Sequence, residues 1–520
     1  MGSRSLMCIT AITLFAALAI TVRLRLAAQE QNNEHTRYKL IDLGTLGGPN
    51  SGIFFEPSPQ NVLSNQGIVA ACADTSIGNP YYPNFNPVPG LLSGVPGGPL
   101  PDPFTFHTLR WENGKSTDLG ALPGVNSSCP GHISHNGLIA GASSNGAIDP
   151  ITGWPEEQAV LWKDGQVINL GNLGGYESYP TAVNNRGQVV GLATNNIPDP
   201  FDPFGFGQQF RAFLWENGVM QDLGTLGGPD ALGVDINDRG QVLGISFINS
   251  IPNPTTGFPT ADALLWENGK MTDIPDPLGG TGVNAFYLSA KGQVLGRANL
   301  PGDIDEQGHP FLWEKGVFTD LGTFGGTSGS SVEINAAGQV VGTANYPGDI
   351  KFRAFLWEDG AKSDLGVVSG NDCSTAYAIN SRGQVVGWSA SFTSHDCAIF
   401  GNLTAIEAFV WEQRSGMLDL NTLVPANSGI FLFIATDIND RGEIAAEGAL
   451  ANGDVRAVLL IPCGENEEGC VDDAGSVTTA GRGGSTLTMA QRLAIRRVMV
   501  GHRTRFAHRY HIPGFGVPRD

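Results

Sequence analysis

Three short motifs recur in fixed order, eight times each, and that periodicity restricts the chain to repeat architectures. Asp-Leu-Gly and its variants begin at Asp42, Asp118, Asn169, Asp222, Asp273, Asp320, Asp364 and Asp419. A polar turn with glycine, followed by an apolar triplet, reads best as Asn184-Asn185-Arg186-Gly187-Gln188-Val189-Val190-Gly191. Its glycine recurs at 67, 137, 187, 240, 292, 338, 383 and 442. The third motif, Ala-Phe-Leu-Trp-Glu-Asn-Gly, puts Trp at 111, 162, 215, 266, 313, 357 and 411, spaced 44 to 54 residues apart. An eighth copy, 456–462, has lost its Trp.

Each unit parses into four short strands. One ends at an Ile-Asn such as Ile379-Asn380, and the glycine turn leads into Gln384-Val385-Val386-Gly387. A variable loop follows, then the Trp strand, and a Glu-Asn-Gly turn returns the chain into Asp-Leu-Gly. Asn-Gly between apolar runs signals a type I′ hairpin, because both central residues need positive φ. Glycine fills 71 of 520 positions, too many for long helices and suited to many turns. Four strands per unit, repeated, is the pattern of a β-propeller blade. The ends of the array point to a closed ring. Residues 38–43 form a lone final-type strand before any complete unit, and 435–462 supply three strands without a fourth. The first should complete the last, removing exposed edges. The expected fold is all-β, a closed propeller of eight four-stranded blades; seven is the alternative if the divergent first unit is no blade.

These motifs resemble the bacterial extracellular repeat proteins called the HAF-repeat family, over about residues 38–462. The resemblance rests on the repeated Leu-Gly-Gly, Asn-x-x-Gly-Gln-Val-Val-Gly and Ala-Phe-Leu-Trp elements. It implies an exported, β-rich repeat protein and supplies no reaction. The namesake His-Ala-Phe is poorly kept: His309-Pro310-Phe311 is nearest, with Arg211, Arg353 and Glu407 elsewhere, which argues against a functional role for the histidine.

The flanks differ from the array. Arg4, the apolar run from Leu6 to Val22 and the small residues Ala27 and Ala28 read as a signal peptide over 1–28, with an uncleaved anchor as the alternative. Residues 29–37 are a linker, 38–462 the propeller, 463–484 a disulfide turn and linker, and 485–520 a basic tail with a helix over roughly 486–508. No other apolar run nears the ~20 residues of a membrane helix. The mature chain is therefore expected in a secreted or extracytoplasmic compartment, as a monomer. Six cysteines remain beyond the signal, an even number suited to disulfides there. They allow 15 connectivities. Cys463–Cys470, Cys373–Cys397 and Cys72–Cys129 is the expected set.

Net charge is −20, but both ends are basic, so residues 29–470 carry −28. Such a body repels phosphate backbones and excludes nucleic acid as a natural partner. No hydrolase elbow, zinc-protease motif, P-loop or dinucleotide fingerprint occurs, and no cofactor is implied. Asp303 and Asp305 are oxygen ligands of the kind calcium takes, without full calcium-repeat spacing.

Strand order sends the crossing loop after Asp-Leu-Gly and the variable loop to one rim, and loops of unequal length on a fixed scaffold are where binding usually sits. Tyr81, Tyr82 and Phe85 in the first variable loop, and Phe204 and Phe206 in the third, mix aromatic rings with Asn and Asp in a way that suits sugars. Rings that only cover the rim are the plainer reading. Just before the glycine turn, one face of the inner strand carries His132, Asp235, Tyr287, Glu333 and Asp437. These residues face the axial channel, either to hold a cation or polar ligand or to bond between blades. The sequence therefore points to a non-catalytic exported scaffold that binds a glycan, envelope component or protein. A polysaccharide hydrolase or lyase using rim carboxylates is the alternative.

Overall fold

A computed structural model describes residues 35–53, 61–82, 103–254, 257–280, 282–301, 307–393, 397, 403–464, 470 and 487–509, the last ten by backbone alone. It forms eight four-stranded antiparallel sheets arranged as a ring, a β-propeller. Blade 3 is typical: Ser178–Val183 innermost, then Val189–Pro198, Gln208–Glu216 and Val219–Asp222 outermost. From blade 2 to blade 8, inner strands of successive blades pack on one another around the axis. The seven-blade alternative is thereby set aside.

Closure runs through the two ends of the array. Ile430–Ile438, Ile444–Leu450 and Val455–Pro462 are the first three strands of blade 8. Tyr38–Asp42 supplies its outermost strand, Tyr38 opposite Pro462 and Asp42 opposite Val458. The last blade is thus held from both ends of the array, and each of its strands is paired. The first unit is the most irregular. Its inner strand, Gly47–Gly52, is followed after residues 54–60, which lie outside the described set, by a single bridge from Leu63 to Val69.

One register repeats seven times. The Trp of the third strand faces the first residue of the apolar triplet, from Val69 with Trp111 to Val385 with Trp411, and in blade 8 Ile444 faces Leu460 instead. Five of the tryptophans are buried, while Trp357 and Trp411 keep partial exposure. The hairpin after six of the seven Trp strands is the predicted one: Asn113, Asp164, Asn217, Asn268, Lys315 and Asp359 all have φ of 50–53° and precede a positive-φ glycine, while a three-residue loop, 413–415, follows Trp411.

The glycine turns lock neighbouring blades. The Asn that opens the turn accepts two backbone N–H groups of its own loop and donates its amide to the next blade. Asn184 Nδ2 reaches Asn237 O (3.1 Å), Asn237 reaches Ser289 O, Asn335 reaches Asn380 O and Asn380 reaches Asn439 O. Asn439 Nδ2 donates to Ser64 O at 3.0 Å, bridging blades 8 and 1. Where Ser64, Ser134 and Ser289 replace the Asn, the shorter side chain stays within its own turn.

The three disulfides pair as expected. Cys72–Cys129 joins blades 1 and 2, Cys373–Cys397 ties the inner strand of blade 7 to its variable loop, and Cys463–Cys470 closes the polar turn. Met489–Arg509 forms the C-terminal helix. Its start is a reciprocal capping box, Thr488 N–H to Gln491 Oε1 (2.9 Å) and Gln491 N–H to Thr488 Oγ1 (3.0 Å). No helix among the described residues is long and apolar enough to cross a membrane. The segment 1–28 lies outside the described residues.

Candidate functional site

At the axis, alternate blades put an acceptor just before the end of the inner strand. In blade 2, His132 Nδ1 accepts from Val183 N–H of blade 3 (3.3 Å). In blade 4, Asp235 accepts from Leu288 N–H of blade 5 (2.8 Å) and from Ile236 N–H beside it. In blade 6, Glu333 accepts from Ile379 N–H of blade 7 (2.7 Å). In blade 8, Asp437 accepts from Val62 and Leu63 N–H of blade 1, both at 3.0 Å. These groups satisfy inner-strand N–H groups that have no fifth strand to bond.

Burial pushes the Asp235 and Asp437 carboxyls up to about 6, against the pull of their N–H partners. Glu333 rises well above the carboxylate range through burial and then the Asp437 charge. Tyr287 is raised by burial and then by Glu333, Asp235 and Asp437, so one field links blades 4, 5, 6 and 8. His132 is lowered to about 3 by burial and by His135, and stays neutral. No group of three or more His, Cys, Asp or Glu placed to hold a metal occurs among the described residues.

The opposite end of the inner strands meets the variable-loop rim, and there the ring has two unlike halves. In blades 1–4 the second strand is long: Val69–Gly78, Ile139–Ile148, Val189–Pro198 and Val242–Pro252. In blades 5–8 it is short, from Val294–Asn299 to Ile444–Leu450. Each long strand has a register shift near its end, so four hairpin arms bend out beyond the ring. Ile77, Ile148, Ile197 and Ile251 stand on those arms with 47%, 49%, 47% and 73% of their surface exposed. Asx turns shape three of them, Ala147 N–H to Asn145 Oδ1 (2.8 Å), Ile197 N–H to Asn195 Oδ1 (2.8 Å) and Ile251 N–H to Asn249 Oδ1 (2.7 Å). Nothing in the motif reading singled out these isoleucines. Their signal was an Ile followed by Gly, Asp or Pro at the end of each arm.

The aromatic candidates separate. Tyr81 is half-buried and Tyr82 is 51% exposed, while Phe85 lies outside the described residues. Phe204 and Phe206 overturn the stacking expectation for the third loop, because both are buried. Phe204 packs on Phe210 (5.0 Å between centroids) and Phe206 on Tyr179 (5.8 Å). The cause is Asp202, whose carboxylate gathers the N–H groups of Phe204, Gly205 and Gly207 and curls the loop onto the blade. Asp303 and Asp305, the calcium candidates, lie outside the described residues.

Beneath the arms lie carboxyl groups that the motif reading also missed. Glu177 accepts from Glu157 N–H of blade 2 (2.9 Å) and from Tyr179 hydroxyl (3.1 Å), and burial pushes it up to about 8. Asp230 repeats the arrangement between blades 3 and 4, accepting from Phe210 N–H (3.0 Å). Asp199 lies close enough that burial, with mutual repulsion, raises both carboxyls. Glu157, Glu177 and Asp230 are at most 4% exposed, so they staple blades rather than line a cleft. With Asp149, Glu156, Asp202 and Asp276 nearby, the rim of blades 2–4 is acidic, and Arg211 is its only described Lys or Arg.

The histidine of the third motif has a defined contact. His309 Nδ1 lies 2.9 Å from Asp320 and His107 Nδ1 3.0 Å from Asp118, in each case the Asp of the following Asp-Leu-Gly. Arg211 approaches Asp222 (4.0 Å) and Arg456 approaches Asp42 (3.5 Å) from the same register. Blades 4 and 7 put acids there instead. Asp262 is raised to about 7 by burial and then by Asp273 and Asp276, and Glu407 to about 7 by burial and then Asp419. The position clamps the third strand to the fourth.

No family model matches the chain, and no curated protein matches it. Among solved structures, it is similar to the β-propeller domain of the trilobed protease of Pyrococcus furiosus (10% identity, 72% of this chain and 97% of that one, TM-score 0.39). It is also similar to the acylaminoacyl peptidase of Pyrococcus horikoshii (12%, 75% and 57%, 0.38) and dipeptidyl peptidase 4 of Porphyromonas gingivalis (11%, 68% and 55%, 0.40). The chain spans a little over half the length of those two peptidases.

Proposed function

We propose that this protein is an exported, non-catalytic binding scaffold whose ligand lies across the four arms of blades 1–4. The row of exposed isoleucines carries the reading. Isolated surface isoleucines need no explanation, but four on adjacent arms, on a rim with many carboxyl groups and a single described cation, are the arrangement of an interaction surface. The chemistry favours a protein or peptide with apolar and basic side chains. A glycan is less suited, since Phe204 and Phe206 are turned inward and aliphatic arms offer no stacking face. Export is supported by three disulfides, which belong to oxidising compartments, by the signal-like N-terminus and by the resemblance to an extracellular repeat family. The hydrolase alternative finds carboxyl pairs, but Glu177 and Asp230 are occupied in holding blades together, and Asp262 with Asp273 and Glu407 with Asp419 face each other within one blade.

The test is fluorescence anisotropy with a labelled synthetic Lys/Leu amphipathic peptide, beside retention on insoluble polysaccharides with assay of released reducing ends. Peptide binding that weakens at least tenfold in the triple variant Ile77→Ser, Ile197→Ser, Ile251→Ser is the expected result. Released reducing ends, or peptide binding indifferent to the triple change, would sink the proposal.

A further inference from the structure

The basic helix lies on blades 7 and 8, on the variable-loop face of the ring. Its inward face is settled. Ile495 and Met499 are buried in a cluster with Phe433 and Trp388, and Gln491 Nε2 donates to Ala449 O (3.1 Å). The outward face has a different composition: Met489 and Leu493 are 72% and 51% exposed, and Arg492, Arg496 and Arg497 are exposed between and beyond them. Arg492 spends its guanidinium on Leu487 O, while Arg496 and Arg497 meet no carboxylate among the described residues. The helix holds six arginines and no acid, in a chain whose net charge is −20. Met489 and Leu493 also form one wall of an apolar cleft against Leu403 and Ile406 of blade 7, with Arg492 and Arg496 on its margin.

We infer that this outward face docks the propeller on an anionic lipid surface. Alternating arginine and large apolar residues on one exposed face is the composition of interfacial helices, whose guanidinium groups meet phosphates while the apolar side chains enter the acyl boundary. Charge complementarity selects the surface, because this is where an otherwise acidic body turns positive. The cleft beside the helix gives a lipid acyl chain a second place to pack, which an acidic protein partner would not need. Docking of this kind is reversible and sensitive to salt: each arginine near an anionic surface is worth roughly a fivefold gain in partition.

The experiment is co-sedimentation of the full chain with vesicles of phosphatidylcholine alone and of phosphatidylcholine with phosphatidylglycerol at 3:1. The anionic vesicles should bind at least tenfold more tightly, and binding should fall away in high salt. The double variant Arg496→Glu, Arg497→Glu should lose roughly 25-fold or more, with its thermal midpoint unchanged because both side chains face outward. Leu493→Ser should lose less, and the isoleucine triple variant nothing. Equal binding to both vesicle types, no binding to either, or indifference to the double reversal would overturn the inference.

Discussion

The two faces of the ring are built from the same eight repeats and have opposite characters. On the glycine-turn face, Asn184, Asn237, Asn335, Asn380 and Asn439 make the same bond to the next blade, and the axial acceptors alternate around the ring. On the other face the described loops differ between the halves of the ring: arms rise on blades 1–4, and a helix covers blades 7 and 8. Repetition marks the residues that hold the propeller together, and departure from it marks those free to bind. The difference can be tested, because substitutions on the first face should act on stability and those on the second should not.

The largest effect should come at the closure. Asn439→Ala removes the donor to Ser64 O and the acceptor for Arg441 and Glu443 N–H, leaving buried groups unpaired. A loss of roughly 2–4 kcal/mol is expected, read as a lower denaturant midpoint with unchanged slope. Ile251→Ser on the other face should stay within about 0.5 kcal/mol. If the two substitutions cost the same, the division between the faces fails.

A smaller effect concerns pH. The Asp235 carboxyl titrates near 6 in the folded ring, above its ordinary value of 3.8. The folded state therefore holds this proton more tightly than the unfolded chain. Its contribution is fully present below about pH 4, declines as pH rises through 6 and is constant above. Asp235→Asn keeps an acceptor for Leu288 N–H and cannot ionise. Relative to the parent, this variant should gain about 1–2 kcal/mol between pH 4 and pH 7, measured as the difference in denaturant midpoints. A parallel pair of pH profiles would show that the axial acid is not strained.

Much of the architecture was legible because repetition removes ambiguity. A single Asn-Gly is a weak hairpin signal, but three Asn-Gly and two Asp-Gly turns in register with Trp are not, and the split first and last units pointed to closure. The rim was less legible for a local reason. Phe204 and Phe206 sit among Asp, Pro and Gly whether the loop opens or folds back, and the outcome is decided by three N–H groups converging on Asp202. At the axis, each complete inner strand is interrupted by a register shift, between Gly233 and Asp235 in blade 4. Two-residue alternation therefore assigns a face only next to the turn. The isoleucine arms appear only when the units are aligned on the end of the second strand, where loop lengths differ most.

The smallest prediction concerns the clamp position, where the faces meet. His107, Arg211, His309 and Arg456 answer an aspartate at the end of the neighbouring strand, and in blade 4 Asp262 faces Asp273 instead. Burial and that repulsion push Asp262 up to about 7, so its charge costs the fold most above neutral pH. Asp262→Arg copies the pairs of blades 3 and 8. It should add about 0.5 kcal/mol at pH 8 and nothing near pH 5, where Asp262 is already protonated. His309→Ala should cost a similar amount, since the pair with Asp320 is partly exposed. His309→Arg should be neutral, because the position asks for a cation within reach of the aspartate and not for an imidazole. A large loss in His309→Arg would mean that the histidine does something the clamp does not explain.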